Sequence, residues 1–477
     1  MCSFIFVISN KDYGSKEINT ANNYLKSRGP DKTNLMRWKS SSKNVLSIHN
    51  LLDISGSTIV QPIKNDQGKS LLFNGEIYLP KNKKVPDTLR LFENFVENKI
   101  DKFLMGSIGE FAISAFDEKL QKIFLYRDLI GTKPLFYGLR KDAIAVSSYS
   151  GALKLIDFEN IFEVSPNTKT QIDISFIENP KIINQNLYPL NLEQNNPNLD
   201  EWNKKFLQSV EVRAKHFKSK FFVPLSSGYD SGAICCALNL LEIPYVTVSI
   251  GDYEDQQILE KRININLSKS CKKHFNFNAL TPRKCKQISK FLYERLGDIK
   301  YDHIDDQKMG EPNSLHQDPG AIGMAFICEE MKKKEFNTLL TGTGADEIIS
   351  DYGFNGIKIA SHSEFGGLFP DNLENFFPWK KFYDDSQKSY LRKDEMVAGL
   401  FGIEGRYPYL DKELIQSFLN LDVSLKNKRY KHCILSFLEM NDYPVEVNVK
   451  KGFSPFKTKM KLREKIFSKL YKFFNKI

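Results

Sequence analysis

Between Ser3 and Ile174 the apolar residues come in short alternating runs, "SFIFVIS", "LLFNGEIY", "EFAISAFD" and "KIFLYRD", bounded by turns rich in Gly, Asn, Asp and Lys. A period of two over runs of this length predicts strands, so this half reads as mostly sheet. The pattern breaks at "NQNLYPLNLEQNNPNLDEW", where Asn, Pro and Gln follow one another without periodicity, as in a linker. Beyond it, "KFFVPL" reads as a buried strand, "SGAICCALNLL" as a helix, "PYVTVSIG" as a second strand and "NTLLTGTGADEI" as a strand running into a loop. Strands alternating with helices predict a parallel sheet with crossovers. Such sheets bind ligands beyond the carboxyl ends of their strands, which directs attention to the loops after Leu225 and Leu340.

A chain of 477 residues exceeds what one core supports and predicts two domains. With 41% hydrophobic and 26% charged residues the composition is that of a soluble globular protein. No apolar run approaches the roughly 20 residues that span a bilayer, and no secretory signal follows Met1, so the expected home is the reducing cytoplasm. The seven cysteines are odd in number and scattered, and are expected to be thiols. The run Cys271 to His274 has no second ligand pair at zinc spacing and reads as a solvated loop. The net charge of +10 is spread along a Lys-rich and Asn-rich chain and predicts no nucleic-acid partner. Only the tail "KTKMKLREKIFSKLYKFFNKI" concentrates it, as a terminal amphipathic helix packed on the body or, alternatively, on a membrane surface or partner.

Candidate chemistry falls on the two loops. "PLSSGYDSG" sets Ser226, Ser227, Gly228, Asp230 and Ser231 between a strand and a helix start, where small residues, hydroxyls and a helix amino terminus suit an anion. The spacing differs from "GxxxxGK" and no lysine is present, so the loop suits pyrophosphate with a metal on Asp230; helix capping alone is the alternative. "TGTGADEI" brings Asp346 and Glu347 to the same sheet edge, and carboxylates from two loops can share a Mg²⁺ whose other ligands are phosphate oxygens. Cys2, taken alone, is as readily a packed thiol as a nucleophile.

In order along the chain, "MCS", "RGPD", "FNGEIY", "RDLIGTKPLFY", "SSGYDSG", "TGTGADE" and "GIEGRYPYLD" resemble the motifs of glutamine-dependent asparagine synthetases, and "SSGYDSG" resembles the "SGGxDS" loop of ATP pyrophosphatases. The resemblance implies an α/β chain: an amino-terminal-nucleophile αββα sandwich over residues 2–184, a linker over 185–200, and an ATP-pyrophosphatase domain with a parallel sheet over 201–477. It implies that Cys2, exposed by loss of Met1, attacks the glutamine amide with its own α-amino group as base, since such an amine has an ordinary pKa of about 7.7–8.0. Asn74 and Gly75 would stabilise the oxyanion, and Glu76 and Asp87 would hold the glutamine amino group. A turn at Asn74–Gly75 is the local alternative.

The second domain of this family adenylates a carboxylate, typically that of aspartate, and ammonia arriving by a tunnel displaces AMP. Here Leu225, Ser226, Ser227, Gly228, Asp230, Ser231, Thr341 and Gly342 would bind ATP and its pyrophosphate, and Asp230 and Asp346 would ligate Mg²⁺. Lys431 would stand beside the reacting phosphate, with Lys428 as the other register. The implied cofactors are ATP and Mg²⁺, the implied partners are glutamine, ATP and a carboxylate such as aspartate, and a homodimer is compatible.

Four places depart from the family pattern. Leu51 in "HNLLDISG" stands where "HERLSIVD" has an arginine, and Thr343 stands where "GEGSDE" has its first glutamate. Ser227 and Tyr229 replace a glycine and an aliphatic residue, and residues 301–326 are long and polar. These changes fall on substrate contacts. They leave three readings: an asparagine synthetase, the same machinery with another acceptor carboxylate, or a pseudoenzyme that keeps the shell as a binding partner.

Overall fold

The computed structural model describes residues 2–54, 56, 59–78, 85–215, 220–251, 254–302, 314–360, 362–446 and 455. The tail expected to form a terminal helix, and residues 303–313 of the long polar stretch, lie outside the described residues.

Two six-stranded antiparallel sheets make up the first half. In one, the strand Ser3–Ser9 sits centrally between Ala143–Ser147 and Lys43–Leu51. In the other, Gly109–Asp117 lies between Lys69–Ile77 and Lys122–Arg127. Phe4, Phe6 and Ile8 pack with Leu72, Phe116, Ile123 and Leu125 between the sheets. The opposite face of Ser3–Ser9, Ile5 and Val7, meets Ile18, Ala21 and Leu25 of the helix Ser15–Leu25. On the far side, Phe73, Phe111 and Ile113 pack with Leu91, Phe95, Ile100 and Leu104 of the helices Asp87–Val96 and Ile100–Met105. The layers therefore run helix, sheet, sheet, helix. Burial on both faces explains why every residue of Ser3–Ser9 is buried although its sequence alternates.

The second half is built on a five-stranded parallel sheet in the order Cys271–Phe277, Tyr245–Ile250, Lys220–Pro224, Phe336–Leu340, Glu404–Arg406. The chain winds outward from Lys220–Pro224 to one edge, then returns to build the other side from Phe336–Leu340. Those two adjacent strands flank the switch point, where parallel sheets open a crevice at their carboxyl ends. Both loops singled out in the sequence leave from it. One local expectation changes and one local alternative falls away. Cys271–His274 is not a loop but part of the edge strand, with Cys271 buried and Lys272 and Lys273 turned to solvent, where lysines discourage edge-to-edge pairing. Asn74–Gly75 is not a hairpin turn but lies within the strand Lys69–Ile77, paired to Ala112 and Phe111.

The strand Lys181–Asn186 ends the sandwich and the helix Asp200–Lys215 begins the next layer. Between them, Asn196 donates its N–H to the Asn420 carbonyl at 2.9 Å and accepts from Asp422 N–H at 2.8 Å, which pins the Asn-rich segment to the second half.

Charge crosses the contact between the halves. Glu395, on the helix Asp385–Leu400, is fully buried and paired with Arg28, while Lys133 Nζ reaches it at 3.0 Å and Tyr407 Oη donates to it at 2.7 Å. Glu110 of the first half meets Arg213 at 2.6 Å, and Arg213 in turn meets Asp411 at 2.7 Å. Removing one partner of a buried ion pair leaves an uncompensated charge and costs about 3–5 kcal/mol. Glu395→Gln keeps the shape but removes the carboxylate charge that pairs with Arg28 and leaves Lys133 with Glu110 at 3.5 Å, so its urea-unfolding midpoint is expected to drop by up to that cost. A midpoint matching the parent would mean that the cluster contributes nothing to holding the halves.

Candidate active sites

The first site forms at the start of the strand Ser3–Ser9. Cys2, Leu51, Gly75, Glu76, Asp87 and Glu404 line one cavity. Burial pushes the Cys2 thiol up to about 11, and the carboxylates of Glu404 and Glu76 act in the same direction, while a Leu52 backbone N–H opposes them. Gly75 has φ of 139°, and a Cβ there would lie 2.0 Å from the Glu110 carbonyl oxygen, so only glycine fits. Beside it the Asn74 side chain is fully buried, and neither atom of its amide has a hydrogen-bond partner among the described residues. An unsatisfied buried amide of this kind costs about 1–3 kcal/mol. It is a donor held ready in a strand rather than one consumed by the fold.

Asp87 accepts from Ile77 N–H at 3.1 Å and Thr88 N–H at 2.7 Å, at the amino end of its helix. Burial raises the carboxyls of both Asp87 and Glu76, and Asp87 and Glu404 raise Glu76 further. A cation placed between such groups relieves their repulsion and is bound for that reason. Leu51 is half-buried in the same wall and offers only methyl groups.

Glu404 belongs to the edge strand of the second half, so that half closes the first site. Although burial opposes it, the Arg406 guanidinium at 2.6 Å holds the Glu404 carboxyl well below the usual range. Arg406 also reaches Glu76 at 3.6 Å, and its own carbonyl accepts from Thr341 N–H at 3.1 Å. One short strand thus touches both candidate sites.

The second site lies at the switch point. Leu225 N–H donates to the Val248 carbonyl at 2.8 Å and fixes the end of the strand. Ser226 and Ser231 hydroxyls meet at 2.8 Å, and Gly228 N–H donates to Ser226 Oγ at 3.1 Å. Gly228 caps the helix Tyr229–Leu240 without a side-chain bond, so the serines fold the loop rather than cap the helix. Ser227 turns to Glu254, donating its N–H at 2.8 Å and its hydroxyl at 2.6 Å to one carboxylate oxygen. Both Ser227 donors are thus engaged by a carboxylate of the chain itself. Arg262, fully buried, clamps it by donating to the Ser226 and Gly228 carbonyls at 2.6 Å each.

Gly342 lets the second loop approach, because a Cβ there would stand 2.7 Å from Asp230 Cβ. Lys431 Nζ sits 2.8 Å from both Asp230 oxygens and 2.9 Å from Asp346. Burial opposes the Lys431 charge, but these two carboxylates raise it well above the usual lysine value. Lys431 adopts the left-handed conformation, φ 45°, immediately before the helix His432–Met440, which aims its side chain inward while Lys428 stays exposed. Tyr430 Oη donates to Asp346 at 3.0 Å and Tyr409 Oη to the Asp230 carbonyl at 3.0 Å.

Two aspartates gathered on one cation fit a hard divalent ion that takes its remaining ligands from phosphate and water. Among the described residues no cluster of three or more His, Cys, Asp or Glu could hold a metal.

Glu404, Arg406, Arg28 and Lys133 lie in the stretches "GIEGRYPYLD", "RGPD" and "RDLIGTKPLFY", where nothing local predicts the contacts they make. Arg262 and Glu254 carry no local signal at all, because what they do depends on a loop that reaches them only in the fold.

A glutamine amidotransferase domain family matches residues 1–193. The chain is similar to a provisionally named asparagine synthetase [glutamine-hydrolyzing] 1 of Methanocaldococcus jannaschii, 24% identical over 80% of this chain and 70% of that protein. It is similar to proteins named probable asparagine synthetase [glutamine-hydrolyzing] in Acanthamoeba polyphaga mimivirus, 23% identical over 89% of this chain and 79% of the other, and in Dictyostelium discoideum, 22% identical over 89% and 77%.

Asn74→Leu fills the same space without an unsatisfied amide. It is expected to stabilise the protein by about 1–3 kcal/mol in urea unfolding. Destabilisation would mean that the amide has a partner in the folded protein.

Proposed function

We infer that this chain, which belongs to the glutamine-dependent asparagine synthetase family, releases ammonia from glutamine at Cys2 and uses it to amidate an ATP-activated carboxylate, converting aspartate to asparagine. The observation that carries the reading is the placement of Glu404 in the Cys2 cavity while its strand neighbour Arg406 bonds Thr341 of the nucleotide loop. Two chemistries that share an intermediate need such a joint.

In the first site, loss of Met1 frees the Cys2 amine to take the thiol proton as sulfur attacks the glutamine amide carbon. The raised thiol makes that base necessary, since little thiolate exists at neutral pH without it. Charge on the carbonyl oxygen is met by the Asn74 amide and the Gly75 N–H, donors that need no reorganisation at the moment of reaction. Glu76 and Asp87 hold the substrate ammonium. Collapse expels ammonia, and water then frees glutamate from the thioester.

In the second site, an acceptor carboxylate oxygen attacks the α-phosphorus of ATP and pyrophosphate departs. Ser226, Gly228 and Ser231, which bond one another in the resting loop, would turn their hydroxyls and N–H to that anion, and Lys431 would bear on the charge that develops between the two groups. Mg²⁺ held by Asp230 and Asp346 would neutralise charge on the leaving pyrophosphate. Ammonia then attacks the acyl carbon and AMP leaves. A second acceptor carboxylate is favoured by one observation: Thr343 places a neutral hydroxyl where this family commonly has a carboxylate, which changes the charge beside the acceptor.

The division of labour is tested with Cys2→Ala supplied with MgATP, aspartate and either glutamine or ammonium. Glutamine-driven asparagine formation is expected to vanish, and ammonium-driven formation with AMP release to continue at a rate within about threefold of the parent. Loss of both would contradict the assignment of Cys2 to nitrogen supply alone. AMP release without asparagine, matched by another amidated product, would move the conclusion to another acceptor.

A further inference from the structure

The helix Asp385–Leu400 presents two adjacent carboxylates with different partners. Glu395 turns to Arg28 and Lys133 of the first half. Asp394 turns to the second site, where its Oδ2 accepts from Thr343 Oγ1 at 2.5 Å. The Thr343 hydroxyl also meets Thr341 Oγ1 at 3.0 Å. Gly342, between the two threonines, is the residue packed against Asp230, so the hydroxyl pair sits on the loop that meets the pyrophosphate loop. Asp394 is only 4% exposed, and no step derived above uses it.

We propose that Asp394, acting through the Thr343 hydroxyl, receives the proton that the attacking nitrogen surrenders as the amide bond forms. This rests on the amide-forming reaction proposed above. The nitrogen lone pair makes the C–N bond, and the C–O bond to the phosphate breaks with its electron pair leaving on AMP. One N–H proton passes to Thr343 Oγ1 while the Thr343 proton passes to Asp394 Oδ2, so the amide leaves neutral. Water removes the proton before the next turnover. Thr343 is the group that touches the nitrogen; Asp394 is a positioning residue that orients and charges the hydroxyl.

The surroundings suit a proton acceptor. Burial raises the Asp394 carboxyl, with Glu395 and Asp318 adding to the rise, while Lys393 at 3.8 Å and the Thr343 bond oppose it. An elevated carboxyl matches a base working nearer neutral pH. The other titratable groups that feel its charge are Cys328 on the helix Pro319–Lys332, Tyr301 and Tyr407, all held protonated by burial. Asp318 is itself tied to Tyr301 Oη at 2.6 Å and shares Lys393 at 3.9 Å, leaving Asp394 as the carboxylate of this group that bonds the Thr341–Thr343 loop.

Asp394→Asn, Thr343→Val and Thr343→Ser separate this role from folding. Two reactions are measured on the intact chain: acceptor-dependent exchange of pyrophosphate into ATP, and ammonium-driven amide formation at a fixed concentration of free ammonia. Asp394→Asn and Thr343→Val are expected to keep exchange within about twofold and to lose amide formation by about 100-fold or more, whereas Thr343→Ser stays within about fivefold. In the parent, amide formation at fixed free ammonia should fall as pH drops through the raised carboxyl pKa, and Asp394→Asn should lack that limb. Equal loss of both reactions, or a Thr343→Val enzyme that forms amide normally, would overturn the proposal. A parent with no exchange for any acceptor would overturn the proposed function as well, and is distinguishable because it needs no variant.

Discussion

Glu395 is a carboxylate without contact with solvent, and its charge is balanced by Arg28 and Lys133 from the other half of the chain. A buried carboxylate without cations costs several kcal/mol, so Glu395 is buried at this contact only because Arg28 and Lys133 are buried with it. Glu110 with Arg213 forms the reciprocal clasp, a carboxylate of the first half held by a cation of the second. Between these pairs lies the strand Glu404–Arg406, whose residues face Cys2 on one side and bond Thr341 on the other. Both candidate sites therefore lie beside charges that are paired across the contact between the two halves.

The chemistry of the first site follows from that burial. Carboxylates Glu76, Asp87 and Glu404 crowd a cavity in which burial also raises the Cys2 thiol. An ammonium group entering there would relieve the carboxylates, and in the proposed reaction the Cys2 amine serves as the base. The buried Asn74 amide, without a partner among the described residues, is destabilising, and in the proposed reaction an oxyanion would satisfy it. Stability is given up in the resting protein at the atoms a reaction would use.

Much of the frame was legible because it is local. A period of two in "SFIFVIS" and the strand–helix alternation after Lys220 determine the sheets, and the switch point places both loops at one crevice. Local reading failed where the deciding partner is remote. Cys271–His274 is polar enough for a loop, yet pairing with Tyr245–Ile250 makes it a strand. Asn74–Gly75 has a turn's composition, but Gly75 serves a close approach to Glu110 within a sheet. Arg28 and Glu395 are separated by 367 residues, and no spacing rule connects them. The sequence favours Lys431 but leaves Lys428 as another register, and the left-handed turn is what brings Lys431 to two aspartates.

If the buried joint makes the two sites act as one reaction, nitrogen passes between them inside the protein. Glutamine labelled with ¹⁵N in its side-chain amide, mixed with an excess of unlabelled ammonium and turned over with MgATP and aspartate, tests it directly. The account predicts asparagine carrying the glutamine label well above its share of the bulk nitrogen. Product whose label merely matches the bulk pool would contradict it.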